Sequence, residues 1–179
     1  MTLRAVIYLG WALFWLGWLA AAVSAKRGSS GAAGRRIRGV AAIGVFVMAR
    51  LVHVDGLAMH DTTSAVLGAA LFVGGLAVAV WARVNMGRNW GMPMTVKEQP
   101  ELVTSGPYRL VRHPIYSGIL LAVLGTALAV NLDWLILLAV LGTYFLYSAK
   151  VEEKLMTDQF PAVYPAYRNH TKMLVPFLL

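Results

Sequence analysis

Two apolar stretches, Ile115–Val130 (IYSGILLAVLGTALAV) and Trp134–Ala149 (WLILLAVLGTYFLYSA), are separated only by Asn131-Leu132-Asp133. Apolar residues surround each run instead of forming one stripe, so a helix built from either faces lipid or another helix. The polar triplet makes a tight turn, which predicts a hairpin of antiparallel neighbours. Counting from Leu132, Ile115 lies about 17 residues back and Glu152-Glu153 about 20 forward. At about 1.5 Å per residue, the two open ends of the hairpin finish within one helical turn of the same level.

Working outward, three more apolar runs approach the length of about 20 residues that a bilayer-spanning helix needs. They are Ala5–Ala25, a run from Gly39 past Arg50 to Val54, and Ser64–Ala82. The reading is an all-α polytopic membrane bundle of about five transmembrane helices, forming a single integral membrane domain over residues 1–179. Residues 1–84 hold three N-terminal transmembrane helices, and 85–179 hold a link, the hairpin and a tail. Composition agrees: 59% of the 179 residues are hydrophobic and 13% charged, against about 25% charged in soluble domains. No cysteine is present, which excludes thiolate catalysis, Cys-ligated zinc and a disulfide scaffold.

The 16 Lys and Arg outnumber the 8 Asp and Glu, a net charge of +8. Their placement decides what they mean. Lys26, Arg27, Arg35, Arg36 and Arg38 follow the first helix, and Arg83, Arg88, Lys97, Arg109 and Arg112 follow the third. Lys150, Lys154, Arg168 and Lys172 lie in the tail. If five helices alternate, all of these share one side. The positive-inside rule then puts the tail in the cytoplasm and the N-terminus outside, in an integral protein of the cell inner membrane. The basic excess orients the chain and is not a nucleic-acid footprint. Val23-Ser24-Ala25 resembles a signal-peptidase site. The long run before it holds three tryptophans and a basic cluster follows it, so a retained first helix is expected. The two hairpin helices are short, and a hairpin that spans imperfectly leaves the same topology.

Polar chemistry concentrates at the hairpin mouth. In Ser105-Gly-Pro-Tyr-Arg-Leu-Val-Arg-His-Pro-Ile-Tyr-Ser-Gly118, Ser105-Gly106-Pro107 reads as a turn, and Arg109, Arg112, His113 and Tyr116 crowd together. Pro114 suits the first helical position. The amides of Ile115 and Tyr116 are then free at a helix N-terminus, an end that attracts carboxylates and phosphates. Across the hairpin stand Glu152 and Glu153. They point about 100° apart on a helix, so one of the two is expected at the junction. A carboxylate beside a cationic, hydroxyl-bearing pocket suits a zwitterionic ligand. In the tail, Phe160-Pro161 and Tyr164-Pro165 break long helices, and Tyr164 and Tyr167 share a face if a short helix forms. They either cover an adenine ring or anchor the tail at headgroup level.

Elsewhere the simpler readings prevail. Arg50 reads as a snorkelling interfacial charge. His53, Asp55, His60 and Asp61 read as surface groups with no metal pairing. Trp11, Trp15 and Trp18 share one face and read as packing or lipid contacts, and Gly68, Gly74 and Gly75 as sites of close helix approach.

The motif Leu102-Val-Thr-Ser-Gly-Pro-Tyr-Arg-Leu-Val-Arg-His-Pro-Ile-Tyr-Ser-Gly118, then Glu152-Glu153-Lys-Leu155, then Phe160, Tyr164, Tyr167 and Val175-Pro176-Phe177, resembles the isoprenylcysteine carboxyl methyltransferase family and its phospholipid methyltransferase-like relatives. The likeness covers roughly residues 81–179. It implies a membrane enzyme that binds S-adenosylmethionine in a cytoplasmic pocket of the C-terminal half and takes a lipophilic small-molecule or prenylated acceptor from the bilayer. It further implies that His113, Tyr116 and neighbouring backbone hold the cofactor, with a glutamate of the pair close by.

The candidate cofactor-binding residues are therefore Tyr108, His113, Pro114, Ile115, Tyr116, Glu152, Tyr164 and Tyr167. The candidate catalytic residues are Arg112 and Glu153, with Glu153 the base where the acceptor arrives protonated; no metal is called for. Family members commonly carry an arginine four residues before the first glutamate, where this chain has Ser148. That departure weighs against a prenylcysteine carboxylate as acceptor and leaves a phenol, amine, thiol or small isoprenoid acid. The alternatives are a phospholipid, amine or thiol methyltransferase, and a non-catalytic lipid-binding or assembly protein of the same family.

Overall fold

The computed structural model describes residues 2–22, 28–29, 61–90, 96–97 and 101–176. Among the described residues five α-helices carry the fold: α1 (Leu3–Ala22), α2 (Thr62–Met86), α3 (Pro114–Ala129), α4 (Trp134–Gln159) and the short α5 (Tyr164–His170). Three of them, α1, α2 and α4, are long and apolar enough to cross a membrane. With α3 they make the all-α membrane bundle that the hydropathy predicts. The predicted second helix, Gly39–Val54, falls outside the described residues, as do Arg50, His53, Asp55 and His60.

Helix α2 starts on an aspartate cap. Asp61 Oδ2 accepts the Ser64 amide at 2.9 Å, and the Ser64 hydroxyl donates to the Asp61 carbonyl at 2.8 Å. The helix ends at Gly87, whose φ of 53° is the left-handed conformation that glycine adopts without strain. Its buried stripe is Gly68, Phe72, Gly75, Ala79, Ala82 and Arg83, spaced as one helical face. The opposite face is open and apolar, with Val73 64% and Val84 71% exposed, as suits contact with lipid tails.

Helix α3 is buried on most of its circumference and packs tightly along α2. A Cβ added at Gly75 would lie 2.5 Å from the Ala122 nitrogen and the Gly118 oxygen, and one at Gly125 would lie 2.4 Å from the Phe72 nitrogen. Gly68 and Gly118 are closed in the same way, whereas Gly74 meets nothing within 4 Å. The sequence reading thus holds for Gly68 and Gly75 but not for Gly74. The partner glycines, Gly118 and Gly125, stand seven residues apart, as Gly68 and Gly75 do, so two antiparallel backbones touch at two successive points.

Helix α1 lies against this pair through aromatic side chains. The Trp11 indole donates to Thr126 Oγ1 at 3.0 Å and stacks on Trp134 with ring centroids 6.5 Å apart. Trp18 meets Trp90 edge to face at 5.6 Å. Residues Gly28–Ser29 pair antiparallel with Val96–Lys97, so the segments following α1 and α2 lie on the same side.

The hairpin turn forms at Asn131–Asp133, where Asn131 Oδ1 accepts the Asp133 amide at 2.7 Å. Its arms are unequal. Helix α3 has 16 residues, about 24 Å, and α4 has 26, about 39 Å. The sequence places the end of the second arm near Ala149, but Lys150–Gln159 continues the helix. These residues are good helix formers with an inward-facing stripe, and Pro161 ends the run. Glu152 and Glu153 therefore sit inside a regular helix.

Alanine at two adjacent glycines separates packing from propensity. Gly75→Ala is expected to destabilise by about 1–3 kcal/mol, because the Cβ forces two backbones apart. Gly74→Ala is expected to stabilise by about 0.5–1 kcal/mol, because it only relieves helix-interior glycine. Thermal unfolding of the detergent-solubilised protein reads both, and shifts of the same sign would contradict the α2–α3 packing.

Candidate functional site

The segment entering α3 is pinned from both sides. Gly106 takes φ 58°, and a Cβ there would lie 2.5 Å from Asn85 Oδ1, so the turn can lie against the end of α2 only with glycine. Residues Gly106–Arg109 form one 3₁₀ turn. It buries Tyr108, whose hydroxyl faces Met86 Sδ at 3.7 Å. On the other side the tail runs parallel to Val111–His113. The Arg112 amide donates to the Lys172 carbonyl at 2.8 Å and the His113 amide to the Met173 carbonyl at 3.1 Å. Ser117 Oγ donates to the Leu174 carbonyl at 2.5 Å.

This arrangement brings His113, Tyr116, Glu152 and Glu153 together at the hairpin mouth. The Tyr116 hydroxyl donates to Glu152 Oε1 at 2.6 Å. His113 Nδ1 lies 3.5 Å from Glu152 Oε2, and His113 Nε2 lies 3.5 Å from Glu153 Oε1. The rings of His113, Tyr116 and Phe145 form a continuous stack, with centroid separations of 5.4 Å and 4.3 Å. Both glutamates face protein, which corrects the expectation that only one does. The end of α4 is covered on one side by the start of α3 and on another by the tail, so two directions 100° apart are both lined.

The two carboxylates differ in what holds them. Glu153 is buried, and its oxygens go to two guanidinium groups: Oε1 to Arg112 Nε at 2.7 Å and Oε2 to Arg168 Nε at 3.3 Å. Arg112 also donates to the carbonyls of Arg168 and Thr171. Arg112 and Glu153 together therefore clamp the tail onto the hairpin. The Glu152 side chain keeps 23% of its surface exposed and meets the Tyr116 hydroxyl and the His113 ring. On the tail side of the cluster opens a recess of about 430 Å³, lined by Arg112 and by residues Arg168 to Met173. That is within the size range of small-ligand sites.

The other sequence candidates take supporting places. Pro114 is the first residue of α3, and the amides of Ile115 and Tyr116 sit in its first turn, with no helical carbonyl behind them. The short helix anticipated at Tyr164–Tyr167 forms as α5. Tyr164 is buried, and the Tyr167 hydroxyl donates to the Tyr108 carbonyl at 2.7 Å. Burial, the largest effect, pushes the phenols of Tyr108 and Tyr164 up and that of Tyr167 up to about 12, so all three stay protonated donors. Two participants escaped the sequence reading: Phe145 and, as more than a topological charge, Arg168. Helical spacing carries the signal for Phe145, which falls on one stripe of α4 with Ser148 and Glu152. Nothing in the spacing marks Arg168, whose contact with Glu153 depends on how the tail folds back. Among the described residues no group of three His, Cys, Asp or Glu is placed to hold a metal.

Comparison with known proteins meets this geometry. Residues 63–162 match the profile of a family described as phospholipid methyltransferase. A methanethiol S-methyltransferase of Pseudomonas sp. strain GM41(2012) is 39% identical over 84 residues, 45% of this chain and 31% of the relative. A protein-S-isoprenylcysteine O-methyltransferase of Saccharomyces cerevisiae is 31% identical over 117 residues, 63% of this chain and 49% of the relative. Cobalt-zinc-cadmium resistance protein CzcN of Cupriavidus metallidurans is 34% identical over 99 residues, 52% of this chain and 44% of the relative. The chain thus spans half or less of the length of these relatives.

Two predictions follow from the electrostatics. Burial alone draws the His113 pKa down, but hydrogen bonding and charge from Glu152 and Glu153 outweigh it and hold the pKa above the ordinary 6.5. The contribution to stability is therefore full below the unfolded-state value and is lost as pH rises through the folded one. Melting temperature should fall as pH rises above about 6.5, and His113→Asn should flatten that slope. Glu153→Gln leaves two guanidinium groups without their carboxylate and is expected to cost about 3 kcal/mol in unfolding free energy. Glu152→Gln should cost under about 1 kcal/mol, its carboxylate being partly solvated.

Proposed function

The chain belongs to the phospholipid methyltransferase family, and from that premise we propose that it transfers a methyl group from S-adenosylmethionine to a lipophilic acceptor that enters from the bilayer. The observation that carries this reading is the hairpin mouth itself. There a partly solvated carboxylate, Glu152, is held 2.6 Å from the Tyr116 hydroxyl, beside His113 and the open N-terminus of α3.

The donor set fits this cofactor. Its cationic sulfonium and ammonium call for a carboxylate, which the partly exposed Glu152 provides. Its carboxylate calls for N–H donors, which the first turn of α3 and the arginine-lined recess beside Arg112 provide. His113 Nδ1 faces Glu152 and Nε2 faces Glu153, each at 3.5 Å, so the ring fixes the carboxylates that the cofactor would meet. Glu152, Tyr116, His113 and the amides of Ile115 and Tyr116 would hold the cofactor, with Tyr164 and Tyr167 closing the tail side. When bound, the cofactor supplies a methyl group on a positively charged sulfur.

The protein's contribution is alignment and exclusion of water. The sequence favours Glu153 as the base and pairs it with Arg112. With both its oxygens on guanidinium groups, Glu153 is assigned here a positioning role together with Arg112, and Glu152 is the carboxylate that takes a proton. The apolar outer faces of α2 and α4 suit an acceptor delivered from the bilayer. The charge distribution supports a tail on the cytoplasmic side of the inner membrane.

Isothermal titration of the detergent-purified protein with S-adenosylmethionine tests the reading. Saturable binding is expected, weakened about tenfold or more by Glu152→Gln and by Tyr116→Phe, since each removes a contact of a charged hydrogen-bonded cluster. No binding at millimolar cofactor would leave a non-catalytic member of the family.

A further inference from the structure

The recess on the tail side of the hairpin mouth, about 430 Å³, carries charge of one sign. Arg112, Arg168 and Lys172 line it, and no carboxylate does. Arg112 and Arg168 share one carboxylate, that of Glu153. Arg112 is buried and engaged, its guanidinium held by Glu153 and two tail carbonyls. Arg168 meets Glu153 through Nε at 3.3 Å and keeps 56% of its side chain exposed. Among the described residues no acidic group pairs with Lys172. Its backbone is nevertheless fixed, since the Lys172 carbonyl accepts the Arg112 amide at 2.8 Å. Two cations thus stand at a cavity, rooted in an ordered segment.

The level of the recess narrows what fills it. Its tail wall is hydrogen-bonded to Arg112 and His113, directly before α3 starts at Pro114. The 16 residues of α3 span about 24 Å, short of the roughly 30 Å of a hydrocarbon core. With the polar turn Asn131–Asp133 at the opposite surface, the start of α3 reaches no higher than the near headgroup layer. The recess therefore opens among lipid headgroups. Apolar side chains flank it: Leu110, two residues before Arg112, and Val175, two after Met173, are both exposed. Beside acyl chains these side chains leave water. Cations with an apolar border complement a phosphate that carries acyl chains.

We propose that the recess binds the phosphate of an anionic phospholipid from the surrounding leaflet. Arg168 and Lys172 take the phosphate oxygens, Asn169, which also lines the recess, offers an amide donor, and the acyl chains run past Leu110 and Val175. Both cations belong to the tail, so a lipid held there braces the tail against the hairpin. This lipid is a ligand of the tail and not the methyl acceptor, and the site goes beyond the methyl-transfer reading. The cofactor carboxylate keeps the Arg112 edge and the first-turn amides of α3.

Native mass spectrometry of the detergent-purified protein tests this with dioleoyl phosphatidylglycerol, dioleoyl phosphatidylcholine and inorganic phosphate. Saturable binding of a single phosphatidylglycerol is expected, with phosphatidylcholine about tenfold weaker or more. Millimolar inorganic phosphate should not displace the lipid, since a free ion gains nothing from the apolar border. Equal binding of the two lipids, or displacement by phosphate, overturns the proposal.

Substitutions separate a site from a charged surface. Lys172→Gln should weaken phosphatidylglycerol binding about fivefold. Lys150→Gln, which removes an exposed charge of α4 outside the recess, should leave it unchanged. Equal losses would make the attraction a property of the whole basic face and overturn the site. Phosphatidylglycerol should also raise the melting temperature of the wild-type protein, and raise that of Lys172→Gln less. An equal rise in both would mean that the lipid acts elsewhere. S-adenosylmethionine should leave the lipid in place. Displacement by it would assign the whole recess to the cofactor, overturning this proposal while supporting the methyl-transfer reading.

Discussion

Close contact between α2 and α3 is the constraint on which the rest of the structure depends. In a bilayer no hydrophobic effect drives two apolar helices together, so association relies on van der Waals contact between surfaces that can approach closely. Gly68 and Gly75 on one helix, with Gly118 and Gly125 on the other, let the backbones touch directly. That contact sets the height and rotation of α3. Every residue of the hairpin mouth contributed by α3 inherits its position from it. The Trp11–Thr126 hydrogen bond then ties α1 to the same helix. It also satisfies an indole that would be costly to leave unpaired in an apolar layer.

A second fastening converts a helix end into a site. Arg112, one residue before His113, and Glu153, one residue after Glu152, form a buried ion pair at 2.7 Å. Such a pair is a poor source of net stability, because desolvation offsets most of the Coulomb gain. It is an effective source of geometry, because neither partner tolerates separation in a low-dielectric setting. With Arg168 and two tail carbonyls joined to it, the pair holds three segments distant in sequence in one register. The neighbouring pair, His113 and Glu152, is held by that register and remains partly open. Within the cluster Glu153 is gripped by two guanidinium groups, whereas Glu152 keeps part of its surface exposed.

Much of this was legible in the residues. Apolar runs with a polar triplet between them specify an antiparallel hairpin. Its near-equal arms to Ile115 and Glu152 bring His113, Tyr116 and the glutamates to one surface, where the structure has them. The turn at Gly106, the proline start of α3 and the short tail helix also follow from local chemistry. The orientation of the second glutamate was not legible. Helical angles say that Glu152 and Glu153 diverge, but not that the tail returns to line the second direction. Gly118 and Gly125 could be matched to Gly68 and Gly75 only once the two helices were known to be partners.

The sequence by itself determined the membrane bundle, the hairpin and the gathering of polar groups at one end. Hydrophobic length, turn residues and charge placement are local properties, readable along one chain. Only the tertiary structure decided which carboxylate is gripped by two arginines, that Gly74 meets open space beside a closely packed Gly75, and that the Ser148 hydroxyl is buried without a hydrogen bond. These depend on the neighbours a side chain meets across space. A burial or hydrogen-bond partner supplied by a segment tens of residues away leaves no trace in local periodicity.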